Sequence, residues 1–257
     1  MIRYNKHLRK TNVVIKANMD LSIIIPVFNE RSKIKQDIES ALSYFDKRGI
    51  SGEIIIVDDG STDGTAKIIS DCETKPDNRV HIICLPEHKG KGCAVKEGIK
   101  SSEGQFVMFA DSGCCIPYEN ILIGMEMIKS GECDIANGSR KLDKCQINTP
   151  QNIHRRIYSA VFRKLLAMYL KIPSELTDTQ CGFKIYRGDV ARRLYGRCVS
   201  DGFMFDVEIV CRALKEGFTI KEFPVEWTCD KDSRFSLWRS FWQLYSELRM
   251  IKKLLKE

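Results

Sequence analysis

Ile54-Ile55-Ile56-Val57 runs without a polar break into Asp58-Asp59-Gly60-Ser61-Thr62-Asp63-Gly64-Thr65. A short apolar run that ends abruptly in turn residues predicts a strand buried on both faces, as in parallel sheets. Open sheets of that kind place ligands beyond the carboxyl ends of their strands. Asp58 and Asp59 stand at such an end, although Asp63 and Thr65 could simply cap the next helix while the aspartates shape a turn. Two further strands end alike, Leu21 to Phe28 at Asn29-Glu30 and Gln105 to Ala110 at Asp111. Three apolar strands that deliver carboxylates to one edge predict a site for a polar ligand or a metal.

Around these strands the pattern alternates. Ile34, Ile38, Ala41-Leu42 and Phe45 are spaced as the core stripe of a helix, and helices are also expected up to about Glu73, from Gly92 to about Lys100, and from about Pro117 to Ser130. With a strand over Val80–Cys84, the order β-α-β-α-β-α-β-α implies a mostly parallel sheet with helices on both faces. Lys89 and Lys91, set between glycines at a helix start, make either an anion-friendly loop or an ordinary one. The second half is less regular. Asp134–Asn137 reads as a short strand leading to Gly138-Ser139-Arg140, and a basic amphipathic helix is expected over about residues 153–171. The segment Thr177–Lys184 is polar where a packed element would be apolar. Phe205 opens a helix, and Ile220 to Trp227 alternates like a strand whose Pro224 suggests an edge.

The charge of +7 is concentrated at the ends: residues 1–20 carry +4, residues 234–257 carry +4, and the 213 residues between them sum to −1. Basic ends on a near-neutral body suit an anionic lipid surface or nucleic acid, or are simply solvated helix faces. Leu237, Phe241, Leu244, Leu248, Ile251 and Leu255 form an apolar stripe beside Trp238, Trp242 and Tyr245. That composition suits an interfacial membrane helix or a helix packed on the body or on a twin subunit. Eleven cysteines, odd in number and irregularly spaced, read as reduced thiols of a cytosolic protein. No signal peptide opens the chain and no run of 18 uncharged apolar residues occurs, so a cytoplasmic, membrane-peripheral location is expected.

Ser22–Glu30 and Val57–Thr65 resemble the motifs of glycosyltransferase family 2, whose members have the GT-A fold and use nucleotide-diphospho-sugars. Gly90-Lys91-Gly92, Asp178–Lys184, Phe205-Asp206-Val207-Glu208 and Asp232-Ser233-Arg234 resemble its dolichyl-phosphate β-glucosyltransferase branch and the prokaryotic polyprenyl-phosphate relatives, over about residues 20–250. The resemblance implies an α/β, Rossmann-like GT-A sheet flanked by helices. With the charge and periodicity of the ends, the expected division is a basic arm over 1–20, a glycosyltransferase domain over 21–233 and an amphipathic helix over 234–257 that belongs to the same domain or faces a membrane. The resemblance further implies that Pro26, Phe28, Glu30, Asp58 and Asp59 hold a uridine, with Lys89, Lys91, Ser112, Gln180 and Arg234 also on the donor. Asp111 would start an Asp-X-Asp metal motif for Mg²⁺ or Mn²⁺. Gly113 stands where the second aspartate is expected, so weak metal binding is predicted.

If the acceptor is a polyprenyl or dolichyl phosphate, its second pKa of about 6 leaves it largely dianionic at neutral pH. Such a nucleophile needs cations more than a base, and Arg140, Arg155, Arg156 and Lys184 are the candidates. Asp111, Asp178, Arg140 and Arg156 form the expected catalytic set, with Asp178 orienting hydroxyls or serving as a fallback base. The favoured activity is inverting transfer of a hexose, glucose in first place, from a UDP-sugar. A saccharide or protein acceptor, or a non-catalytic nucleotide-sugar binder, are the alternatives. An anionic membrane is the expected surface partner, nucleic acid is not expected, and a homodimer is left open.

Overall fold

The computed structural model describes residues 19–73, 78–142, 145–147, 168–228 and 241–254. Strands β1 (Leu21–Val27), β2 (Gly52–Asp58), β3 (Val80–Cys84) and β4 (Phe106–Ala110) alternate with helices α1 (Ile34–Arg48), α2 (Thr65–Glu73) and α3 (Lys91–Ser101). A 3₁₀ turn at Tyr118–Asn120 then leads into α4 (Ile121–Lys129), followed by β5 (Ile135–Ser139) and the two-residue β6 (Gln146–Ile147). The chain continues through β7 (Phe183–Arg187), α5 (Gly188–Tyr195), α6 (Phe205–Lys215), β8 (Ile220–Pro224), β9 (Glu226–Trp227) and α7 (Phe241–Leu254).

The main sheet has seven strands in the order β3-β2-β1-β4-β7-β5-β8. All run parallel except β7, which is antiparallel to both β4 and β5. β8 is an edge strand, as Pro224 suggested, since proline cannot donate to a further ladder. β6 and β9 pair as a separate two-stranded ribbon.

Both sheet faces are covered. Ile23, Ile25, Ile54, Ile56, Met108 and Ile185 point to α1 and α4, meeting Ile34, Ile38, Phe45, Ile121 and Met125. Ile24, Ile55, Val57, Phe109 and Tyr186 point the other way, meeting α3, α5 and α6 through Ala94, Val95, Leu194, Phe205 and Ile209. A strand buried on two faces reads as an unbroken apolar run, which is why β1 and β2 are conspicuous in the sequence.

The structure corrects the polar reading of Thr177–Lys184. Its end is the start of β7, a central strand with Lys184 only 1% exposed. The lysine is tolerated there because Asp206 of α6 accepts from its ammonium at 2.7 Å and the Cys181 carbonyl accepts at 2.6 Å. α5 follows β7 directly and carries no expectation from the sequence. Most of the helix expected over 153–171 and the basic arm over 1–20 lie outside the described residues. Within α7, Ile251 is 1% exposed and packs with Leu248 against Leu170, Ile172, Met204, Val207, Val210 and Cys211.

Candidate active site

The carboxyl ends of β1, β2 and β4 lie side by side at one edge, with Val27 in register with Asp58 and Ile24 in register with Phe109. Pairing of β1 with β4 stops at Ile24, two residues before Pro26, whose missing N–H therefore breaks no ladder bond. Beyond β1 the chain turns at Asn29, which adopts a left-handed conformation at φ 56°. Its backbone N–H donates to Ser61 Oγ (2.8 Å), and its Oδ1 accepts from the Thr62 N–H (2.8 Å). The two strand-end loops are thus tied to each other, and Glu30 is held close by Lys33 at 3.4 Å.

Asp58 and Asp59 are both buried. Asp58 Oδ1 accepts from the Ser61 N–H at 3.1 Å, shaping the turn. Asp59 fastens the next loop to the sheet: its two oxygens accept from the backbone N–H groups of Lys89 and Gly90, each at 2.8 Å, and Oδ2 lies 2.7 Å from His88 Nδ1. The His88 ring stacks on Phe28, with centroids 3.9 Å apart and planes 19° from parallel. This aromatic wall at the mouth of β1 was not read from the sequence, because His88 and Phe28 are sixty residues apart.

Asp111 follows β4 with its side chain 45% exposed, and the Lys91 ammonium rests on its carboxylate. The Asp111 backbone N–H donates to the Gly182 carbonyl at 3.1 Å. A Cβ on Gly182 would overlap the Asp111 carboxylate as it lies here, so glycine leaves that side chain its present position. Burial alone would push Lys91 toward neutrality, but Asp111 and Asp206 outweigh it and raise its pKa. Gly92 lies against the Ser200 carbonyl and the Phe205 Cβ, where a methyl group would not fit. The glycines around Lys91 therefore serve close packing of α3 on the 200–205 loop, whose Asp201 carbonyl accepts from the Cys93 N–H at 3.2 Å.

The residues after Asp111 turn away from the edge. Asp37 of α1, 1% exposed, accepts from Ser112 Oγ (2.6 Å) and from the backbone N–H groups of Gly113 and Cys114 (2.9 Å each). Cys114 Sγ also lies 3.1 Å from it, and burial together with Asp37 pushes this thiol up to about 12, so it stays a proton donor. Ser112 is therefore corrected from a donor contact to a loop anchor, because its hydroxyl is spent on Asp37. The signal for Asp37 was present: a carboxylate between Ile34 and Ile38, on the apolar face of α1, needs a polar partner inside the fold.

Arg140 and Asp178 form a bidentate pair, with Nε to Oδ2 and Nη2 to Oδ1 both at 2.8 Å, and the Arg140 backbone N–H also donates to Oδ2 at 3.0 Å. Burial raises the Asp178 pKa, but Arg140 outweighs it and holds the carboxyl below the usual carboxylate range. Asp178 is 0% exposed, and its own N–H donates to Glu222 at 2.7 Å. A carboxylate so enclosed cannot reach a substrate hydroxyl, which corrects the fallback-base reading. Lys184 is corrected likewise, since its ammonium is buried on Asp206 and cannot meet an acceptor phosphate. Arg140 keeps partial exposure and sits 5.6 Å over the Trp227 ring. Gln180 is half-buried. Arg155, Arg156 and Arg234 lie outside the described residues.

Among the described residues no three His, Cys, Asp or Glu side chains converge as metal ligands. Asp111 offers the more exposed carboxylate at this edge, 45% against 22% for Glu30. A hard cation that keeps water and phosphate oxygens as its other ligands is compatible with one such carboxylate, so the residues present fit a weakly held ion.

A family model for glycosyl transferase family 2 matches residues 22–195. A dolichyl-phosphate beta-glucosyltransferase of Homo sapiens is 30% identical over 254 residues, spanning 90% of this chain and 74% of that protein. The Dictyostelium discoideum protein of the same name is 29% identical over 245 residues, covering 91% of this chain and 74% of its own length. Among solved structures, glucosyl-3-phosphoglycerate synthase from Mycobacterium tuberculosis with Mn²⁺, UDP and glucosyl-3-phosphoglycerate superposes with a TM-score of 0.63. Its identity is 19%, with 91% of this chain and 78% of that one covered. S. aureus TarS 1-349 with UDP-GlcNAc gives a TM-score of 0.60 at 19% identity, over 91% of this chain and 66% of that one. At these identities the likeness is one of fold, and the fold is GT-A.

Proposed function

The chain belongs to glycosyl transferase family 2, and we propose that it transfers glucose from UDP-glucose to a polyprenyl or dolichyl phosphate at a membrane surface, inverting the sugar carbon. The observation that carries this reading is the edge itself: acidic strand ends on β1, β2 and β4 stand beside a cationic flank made by Lys91 and Arg140. The near full-length likeness to two dolichyl-phosphate beta-glucosyltransferases supports the acceptor and the sugar.

In this reading the Phe28–His88 wall, Glu30 and Asp58 border the uridine, while Asp59 holds the 88–90 loop in place to receive it. Asp111 faces the diphosphate. A divalent cation bound there would supply charge neutralisation to the leaving diphosphate, and solved structures of like fold contain Mn²⁺ or Mg²⁺ with UDP. Arg140, clamped by Asp178, presents a guanidinium of fixed orientation to the acceptor phosphate, which suits bidentate phosphate recognition. Catalysis then comes from positioning and electrostatics, since a dianionic phosphate attacks without a base.

Membrane contact follows from the acceptor's chemistry. No helix among the described residues is long and apolar enough to cross a bilayer. Leu248 and Ile251 of α7 pack inward, while Arg249 and Lys253 are exposed, next to the exposed Met168 and Tyr169. Lys252 lies 3.6 Å over the Tyr169 ring, joining the two segments. This apolar and basic surface is the one proposed to meet anionic lipid on the cytoplasmic face. The function is tested by offering UDP-glucose with a polyprenyl phosphate and, separately, with the dephosphorylated polyprenol. Transfer to the phosphate alone is expected. Equal transfer to the alcohol would demand a general base, and would overturn the reading.

A further inference from the structure

Lys91 is placed by several independent constraints. It is the first residue of α3, its ammonium lies on Asp111, and the rings of Phe109 and Phe205 stand 5.5 and 5.8 Å from it. The absence of a Cβ at Gly92 and at Gly182 permits both halves of the contact, one bringing α3 onto the 200–205 loop and the other making room for the Asp111 carboxylate. Two residues past Asp111 stands Gly113 in place of a second carboxylate, and its N–H is committed to Asp37. The neighbouring cation Lys184 cannot substitute for Lys91, since Asp206 and the Cys181 carbonyl enclose its ammonium. One carboxylate at the edge is thus already met by one positive charge belonging to the chain itself.

We infer that Lys91 is a built-in counter-cation for the donor diphosphate, which shares Asp111 with any divalent ion and carries part of the neutralisation. This rests on the UDP-glucose reading above. During transfer the bond from the sugar C1 to the β-phosphate oxygen breaks, and its electron pair leaves with UDP. An acceptor phosphate oxygen forms the new bond to C1. Lys91 keeps its proton throughout and turns its ammonium from Asp111 toward the departing oxygen. A charge already held at the edge, flanked by the Phe109 and Phe205 rings, stabilises the developing anion with little reorganisation.

The test compares wild type with Lys91→Met and Lys91→Arg in the full chain. Mn²⁺ binding to the UDP complex is read by electron paramagnetic resonance beside transfer kinetics. Lys91→Met is expected to lower kcat about 100-fold, as for loss of one preorganised charge donor. It should also tighten Mn²⁺ binding about tenfold, because a competing positive charge has gone. Lys91→Arg should recover part of kcat. Unchanged kcat in Lys91→Met, or Mn²⁺ binding that weakens in step with kcat, would overturn the inference. Should Lys91→Met fail to fold, Lys91→Gln carries the same comparison. If wild type moves no sugar from UDP-glucose, the proposed function fails, while the Mn²⁺ measurement still reads the role of Lys91 at Asp111.

Discussion

At the scale of single residues, the site is a set of carboxylates that mostly do structural work so that a few can face a ligand. Asp37, Asp59 and Asp178 each accept three or more hydrogen bonds from loops or from Arg140. Asp111 is left comparatively open. Asp178→Asn strands a largely buried guanidinium, so a loss of about 3 kcal/mol in stability is expected by urea denaturation. Activity should fall only partially, since no base is removed. The pH sign follows from depressed carboxyl groups. Asp178 and Glu208 both sit below their ordinary values, so their stabilisation is complete above the unfolded carboxylate range of about 4 and is lost as pH falls through the folded values. Urea midpoints taken from pH 7 to pH 3 should be level above about 5 and drop below about 4, less steeply in Asp178→Asn. Gly113→Asp would restore the expected motif on paper. Gly113 has φ 98°, however, and its N–H is committed to Asp37, so an aspartate there is strained by about 1–3 kcal/mol. It should lower the melting temperature without tightening Mn²⁺ binding in the UDP complex, and a clear gain in Mn²⁺ affinity would contradict this.

At the scale of elements, legibility depended on whether an element's environment matches its periodicity. β1, β2 and β4 are buried on both faces and announce themselves as apolar runs. β7 does not, because one of its five positions is Lys184, neutralised by a residue of α6 that no local pattern could reveal. The antiparallel insertion of β7 between β4 and β5 was invisible for the same reason, since pairing partners far apart in the chain leave no spacing to read. The motif containing Gly182 and Lys184 could be seen, but not the reason for it, which is room for Asp111. Leu248 and Ile251 could be set on one helix face from their spacing, but the residues they pack on could not. Ile251 turns inward, so Ile251→Ala should cost about 2–4 kcal/mol in denaturation rather than act on lipid binding alone. Charge reversal of Arg249 and Lys253 should do the opposite, leaving the melting temperature within a few degrees while reducing co-sedimentation with anionic vesicles. Vesicle binding that ignores those charges would remove α7 from the membrane face.

At the scale of the whole molecule, one sheet edge gathers what the chain spreads over more than a hundred residues. Asp58 and Asp59 end β2, Asp111 ends β4, and Arg140 follows β5, all at carboxyl ends of strands that run the same way. Lys91 and Asp178 then fix two of those groups from other elements. The edge was predictable from strand chemistry alone, whereas the pairings that aim each group needed three dimensions. In the proposed function this edge passes glucose from a nucleotide to a lipid phosphate. Its most direct measurement is transfer of labelled sugar from a panel of UDP- and GDP-sugars to polyprenyl phosphate, by wild type and by Asp111→Asn. UDP-glucose should be used well above the other donors, and the variant should lose about 100-fold in rate. A wild-type protein that leaves the lipid unlabelled with every donor, or a variant that labels it at the full rate, would contradict the account.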